Sequence, residues 1–253
     1  MEAARCRQNE ISQCKRQTIL GEEKEKKMDK RLQGLYSRRF HRKEREEKEA
    51  VWKEICAYLE QFASKGRQGC VVDVAAGYCE FINHFRYGKK KYAVDANPDI
   101  VKYARGGVKP VVDGIHNLSS HFKEGTVSLF FMSNFLEHIP RKDISELLET
   151  EYRLLQPGGQ VWILTPNIRY VGGKYWDFYD HITPVTEKSL IEAAGMAGYR
   201  LETCIPKFLP FTTKGRLPKA RWAVRLYLKL MPLSGMFFGE QSFLIFSKKK
   251  EKA

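Results

Sequence analysis

The 253-residue chain has no C-x-x-C pair and no stretch approaching the roughly 18 apolar residues that span a bilayer. Its six cysteines, at positions 6, 14, 56, 70, 79 and 204, therefore frame neither a zinc site nor a disulfide scaffold and read as reduced, mostly buried thiols. The first 30 residues lack the apolar run of a signal peptide, so a cytoplasmic protein is expected. Acidic residues are scarce near the C-terminus: residues 207–253 carry 11 basic and 2 acidic side chains. Residues 51–206 are balanced at 18 of each, and the first 50 carry 15 basic against 10 acidic. The net charge of +14 thus sits in the ends. That distribution argues against a domain-wide nucleic-acid footprint and for a local basic surface able to meet anionic lipid, an acidic glycan or RNA.

What is present begins with the run from Cys70 to Phe85. Cys70, Val71, Val72 and Asp73 read as a short buried strand, Ala75, Ala76 and Gly77 strip side chains from a turn, and Glu80 to Phe85 resumes with helical spacing. Such a turn lets backbone approach a ligand, the helix start offers free amides, and Asp73 can hold polar or cationic ligand groups. A second strand, KKKYAVDANP, ends in Asp95, and an acid at that tip commonly takes the ribose hydroxyls of a nucleotide-like ligand.

At these residues the chain resembles class I S-adenosylmethionine-dependent methyltransferases, whose first motif is close to D-x-G-x-G-x-G. Here it stands as Asp73-Val74-Ala75-Ala76-Gly77-Tyr78-Cys79, with the middle glycine kept. Two further segments carry the resemblance: Ser133-Asn134-Phe135-Leu136-Glu137-His138, matching S-N-x-L-E-H, and Leu155-Gln156-Pro157-Gly158-Gly159, matching L-x-P-G-G before an apolar strand. The resemblance implies a Rossmann-like α/β fold, with a mostly parallel seven-stranded sheet, helices on both faces and an antiparallel last strand. It implies that S-adenosylmethionine lies over the turn formed by Asp73, Ala75, Gly77 and Cys79. Its ribose would meet Asp95 and Ala96, its adenine Asp113 and Gly114, and Asn134 would stand near the reaction centre. Asp113-Gly114 also reads as a simple turn cap. Some related O-methyltransferases hold a divalent metal with E-x-x-E-H at this place. Here Asn134 replaces the first carboxylate, and no obligatory metal is expected.

The remaining elements follow from period and punctuation. Val127 to Met132 is a continuous apolar run suited to a central parallel strand, Ile144 to Leu155 is an amphipathic helix closed by Pro157-Gly158-Gly159, and QVWILTPN is the fifth strand. Thr186 caps a helix to Ala197, YRLETCIP is the sixth strand and QSFLIFSK the seventh. The loop between Pro166 and Thr186 is long and dense in aromatics, as a substrate-recognising loop should be. Within it His181 is the candidate general base, oriented by Asp180, and His138 stands nearby if the fold is right. His138 and Glu137 equally suit a structural role at a helix start.

Residues 1–39 read as a polar, charged extension and residues 40–250 as the methyltransferase domain, with a family-like start near Met28 and an N-terminal helix carrying Val51, Ile55, Tyr58, Leu59 and Phe62 on one face. Residues 207–235 form a basic amphipathic insertion before the last strand. Its segment Leu217 to Leu230 suits either packing on its own domain or peripheral contact with an anionic membrane. The expected activity is O-methylation of a hydroxyl on a small molecule, glycan or lipid-linked intermediate, as the closest resemblance is to bacterial enzymes of that group. Methyl transfer needs no serine nucleophile, and no G-x-S-x-G motif is present. Methylation of RNA or protein through the basic tail, or a binding protein that keeps the fold without turnover, are the competing expectations, though no specific nucleic-acid partner is expected.

Overall fold

The computed structural model describes residues 42–63, 69–211 and 220–249. The chain divides at Glu46, and the body is Glu47–Ala253; of the unit before it, only the opening of helix α1 (Arg42–Leu59) is described. The expected polar extension over residues 1–39, the start near Met28 and the opening of the basic segment at Leu217 lie outside the described residues.

Seven strands form one sheet in the order β3-β2-β1-β4-β5-β7-β6. They are β1 (Cys70–Val74), β2 (Lys90–Asp95), β3 (Lys109–Val112), β4 (Val127–Ser133), β5 (Leu155–Pro166), β6 (Arg200–Leu209) and β7 (Gln241–Ser247). The first five run parallel, and β7 is antiparallel to both neighbours, β5 and β6. Between β1 and β4 the connections turn in opposite directions, which opens a crevice beyond the strands' carboxyl ends. The expected architecture is the observed one.

Period-two alternation feeds two cores. Val71, Leu129, Phe131, Trp162, Leu164, Phe243 and Ile245 face one side, where Trp52, Ile55 and Leu59 of α1 and Phe81 and Ile82 of α2 (Glu80–His84) cover them. Val72, Val74, Phe130, Met132, Val161, Ile163, Leu244 and Phe246 face the other, under α5 (Arg141–Leu154) and α7 (Glu187–Met196). With both faces covered, β4 carries the consecutive apolar run Leu129 to Met132 in place of an alternating pattern. A one-residue slip would exchange the two sets, so register is strongly held. Phe131 stacks on Phe81 at 3.6 Å between ring centroids and takes the edge of Trp52 at 6.2 Å. This contact seats α2, the helix that follows the glycine turn, directly on β4.

Two remaining expectations are met differently. Pro157-Gly158-Gly159 does not end α5, which stops at Leu154; it loops out inside β5, where pairing with β4 jumps from Leu155 to Gln160. Gly159 has no room for a side chain there, since a Cβ would meet the carbonyl oxygen of Gln156 at 2.9 Å. The loop between Pro166 and Thr186 is not extended. It folds as α6 (Ile168–Val171) and a 3-10 stretch over Gly172–Asp177 before reaching the Thr186 cap, whose side chain and Ser189 cap each other as expected for a helix start.

Candidate active site

The crevice is lined by the tips of β1, β2, β3 and β4. After β1 the chain turns through Ala75 (φ 53°), Gly77 (φ 52°) and Cys79 (φ 60°), all left-handed. These are the three positions that match family glycines, so the backbone keeps the glycine conformation where two of the glycines are gone. Each non-glycine residue held there costs about 1–2 kcal/mol. A Cβ on Gly77 would have no atom within 4 Å, so the turn presents bare backbone to open space. The Cys79 side chain points inward, fully buried, and burial pushes its thiol pKa well up. It fills the core beneath the turn and leaves the ligand side clear.

Gly77 and Asp95 lie together. The Gly77 amide donates to Asp95 Oδ2 at 2.8 Å and the Asn97 amide to Oδ1 at 2.8 Å. Burial raises the Asp95 pKa, while these two amides pull it back toward the charged form. A carboxylate has about four acceptor sites, so two remain for ligand hydroxyls. Exposed Ala96 follows Asp95. Asp73 is buried at the end of β1, and burial together with neighbouring Glu80 raises its pKa well above the ordinary carboxylate value. Lys48 of α1 reaches Glu80 at 2.8 Å and lies over the Tyr78 ring at 5.9 Å, so α1 packs beside this turn. Asp113, after β3, accepts from Asn117 Nδ2, from its own neighbour's amide at Gly114 and sits 2.7 Å from His121 Nε2. Asn117 chiefly, then His121, lower its pKa. Its carboxylate is thus tied into the local turn, the alternative that Asp-Gly sequences suggest. Asn134, at φ 49°, occupies the exposed tip of β4, a conformation asparagine tolerates well.

The other wall comes from the compact 167–185 segment. The carbonyl of Glu137 accepts from the amides of Ile182 (2.9 Å) and Thr183 (3.1 Å), Thr183 Oγ1 donates to the Ile139 carbonyl at 2.6 Å, and Tyr175 Oη donates to the Thr183 carbonyl at 2.5 Å. These bonds bring His181 to within 4.9 Å of His138, ring centroid to centroid. His181 is buried against Phe178, stacked at 5.0 Å, and against Tyr175 at 4.7 Å and Phe211 at 6.2 Å. Asp180 meets His138: His138 Nδ1 is 3.0 Å from the Asp180 carbonyl oxygen and 3.5 Å from its Oδ2. Sequence reasoning paired Asp180 with His181; the orienting contact found is to His138. Buried Glu137 accepts from Thr165 Oγ1 at 3.2 Å, and burial raises its pKa to about 8. Glu137, His138 and His181 each offer one ligand atom within 4.8 Å of the others, a spacing that suits a metal ion. Phe211 was missed by sequence reasoning, because nothing local marks a residue 30 positions away as a wall for His181.

The residues present fit S-adenosylmethionine: open space over the bare backbone at Gly77 and, joined to it, a carboxylate at Asp95 with acceptor sites left for ligand hydroxyls. No helix among the described residues is long and apolar enough to cross a membrane.

Comparison with known proteins agrees. The sequence profile of a methyltransferase-domain family matches residues 41–203. No curated protein matches the chain. A SAM-dependent methyltransferase from Archaeoglobus fulgidus superposes with a TM-score of 0.57 at 19% identity, covering 78% of this chain and 94% of that one. A SAM-dependent methyltransferase from Thermotoga maritima does so with a TM-score of 0.61 at 16% identity, covering 87% and 97%. The geranyl diphosphate C-methyltransferase of Streptomyces coelicolor, solved with Mg²⁺, geranyl diphosphate and S-adenosyl-L-homocysteine, gives 0.54 at 14%, covering 77% of each chain. With the family profile covering more than half its length, the chain belongs to the methyltransferase-domain family and is a class I S-adenosylmethionine-dependent methyltransferase.

Proposed function

We propose that the protein methylates a hydroxyl oxygen of a small-molecule, sugar or lipid-linked acceptor held against the 170–185 wall. The supporting observation is His138, whose Nδ1 lies 3.0 Å from the Asp180 carbonyl. With the proton on Nδ1 donated to that carbonyl, the ring's basic nitrogen is Nε2, which lies 3.9 Å from Glu137 Oε1. S-adenosylmethionine, when bound, supplies a methyl group already activated by its sulfonium. Asp73, the Gly77 turn and Asp95 bind it, the neighbourhood of Asp113, Gly114 and Asn134 completes its seat, and His138 takes the acceptor's proton. The carboxylate of Asp180, 3.5 Å from Nδ1, stabilises the imidazolium that results. His181 and its aromatic box exclude water and orient the acceptor.

The spacing of Glu137, His138 and His181 favours a second reading, in which a divalent cation lowers the acceptor hydroxyl's pKa. Radiolabelled methyl transfer to a panel of hydroxylated glycans and lipid-linked sugars tests the first. His138→Gln should reduce turnover about 100-fold with S-adenosylmethionine affinity unchanged. Turnover equal to the parent's would remove His138 from the reaction. Activity that survives chelation supports the imidazole alone, whereas activity lost to chelator and restored by Mg²⁺ or Mn²⁺ supports the cation.

A further inference from the structure

Half of the large apolar side chains exposed among the described residues fall between Trp222 and Phe238. All but Leu230, which lies between them, belong to α8 (Arg221–Lys229) and α9 (Leu233–Phe238). Helix α8 was expected either to pack on its own domain or to face a membrane, and one of its faces packs on the domain. Val224, Tyr227 and Leu228 enter the core beside α1, and Tyr227 Oη donates to the Phe208 carbonyl at 2.7 Å. On the opposite face Trp222 (68% exposed) and Leu226 point outward at helical spacing.

Helix α9 reverses the usual arrangement. It lies on β6 through its smallest residues: a Cβ on Gly235 would meet the Lys207 carbonyl oxygen at 2.1 Å, and one on Gly239 would meet it at 2.4 Å. Its bulky residues are turned the other way, with Met236 at 63% and Phe237 at 72% exposure. Water is a costly environment for such a face unless something else covers it.

We propose that this outward face of α8 and α9 docks on an anionic lipid bilayer. The segment 221–239 contains no acidic residue, while Arg221, Arg225 and Lys229 are interleaved with its apolar side chains. Arg221 and Arg225 share one carboxylate, Glu54, and remain half or more exposed, so that cluster keeps a net positive charge. Trp, Phe and Leu among cations, with guanidinium groups that stay half or more exposed beside Glu54, is the composition of an interfacial helix. Lysine is depleted at protein interfaces, and a two-fold contact between copies would bring these cations against each other.

The face adjoins the acceptor wall. Lys207 Nζ donates to the Met236 carbonyl and lies over the Tyr170 ring at 5.4 Å, Glu240 lies 3.6 Å from Lys174, and the Phe211 amide donates to Glu240 Oε2 at 3.0 Å. Docking would therefore hold the crevice beside the lipid surface, where a lipid-linked acceptor resides. That consequence rests on the acceptor reading above; the docking itself does not.

The test is co-sedimentation of the full chain with extruded vesicles of phosphatidylcholine alone or with phosphatidylglycerol added. Binding should be strong to the anionic vesicles, weaker to the neutral ones, and reduced by salt. The double variant Trp222→Ser/Phe237→Ser should lose about tenfold or more in vesicle affinity, and Lys229→Glu should weaken binding to anionic vesicles alone. An unchanged thermal shift with S-adenosylmethionine shows that each variant is folded. Absence of binding to anionic vesicles overturns the proposal, as does a folded double variant that binds like the parent. A dimer in light scattering that the double variant dissolves, without vesicle binding, assigns the face to a second copy and likewise overturns it. Methyl transfer to a soluble acceptor is read separately, so failure of docking and failure of the acceptor reading are distinguishable.

Discussion

The amide of Gly77 and the carboxylate of Asp95, 18 residues apart, are joined by a 2.8 Å hydrogen bond that makes the turn after β1 and the tip of β2 one unit. Asp95→Ala removes both that bond and the expected ribose seat. Affinity for S-adenosylmethionine measured by calorimetry should fall about 100-fold, as when a charged hydrogen-bonding partner is lost on each side. Gly77→Ala separates the two effects. Its methyl group enters open space at a left-handed φ of 52°, so stability should fall by only about 1 kcal/mol, yet the nucleoside would meet the new methyl. A Gly77→Ala protein that binds the cofactor normally would place the ligand elsewhere.

Cys79 makes a different wager on the same turn. At φ 60° its backbone is strained, while its thiol packs in the core. Cys79→Ala keeps the strain and loses the sulfur; Cys79→Gly loses the sulfur and relieves the strain. The glycine variant should therefore be the more stable of the two by about 1 kcal/mol in denaturant unfolding, the reverse of the order at an ordinary helix position. The native thiol, buried and with its pKa raised, should resist a thiol reagent at pH 8.

The sheet was legible because its strands are apolar runs that end in an acid or a small residue, as at Val72-Asp73 and Val94-Asp95, and local pattern alone sets those ends. The crevice followed, since parallel strands bring such tips to one edge. The aromatic box was half legible. Tyr175 and Phe178 stand out in their loop, but Phe211 joins them through a contact at 5.3 Å to Phe178 that no short-range pattern encodes. Adjacency in sequence paired Asp180 with His181, and only the fold of the loop brings it to His138. Helix α9 was illegible for a physical reason: its one glycine, Gly235, a residue that ordinarily weakens a helix, forms the packing face together with Gly239 just past its end.

Tyr175 tests whether the acceptor wall is held as a unit. Its hydroxyl donates to the Thr183 carbonyl from a buried position, and its ring lies against His181. Tyr175→Phe should cost about 1–2 kcal/mol by leaving that carbonyl unpaired. Turnover should drop while S-adenosylmethionine affinity, set on the other side of the crevice, stays at the parent value.

Stability should also depend on pH through Glu151, far from the crevice in α5. Both of its carboxyl oxygens are buried without a hydrogen-bond partner, and burial raises its pKa well above the ordinary glutamate value. The folded protein therefore keeps this acid protonated over a range in which the unfolded chain has already released the proton. Wherever the unfolded state binds fewer protons than the native state, stability falls as pH rises. The loss begins at the unfolded glutamate pKa and continues upward until the folded pKa is reached. Glu151→Gln, close in shape and without a proton to lose, should remove that slope. It should raise the melting temperature at pH 8 by more than at pH 5, which lies just above the unfolded glutamate pKa, where little of that loss has accrued. Equal shifts at the two pH values would mean that Glu151 is ionised in the fold.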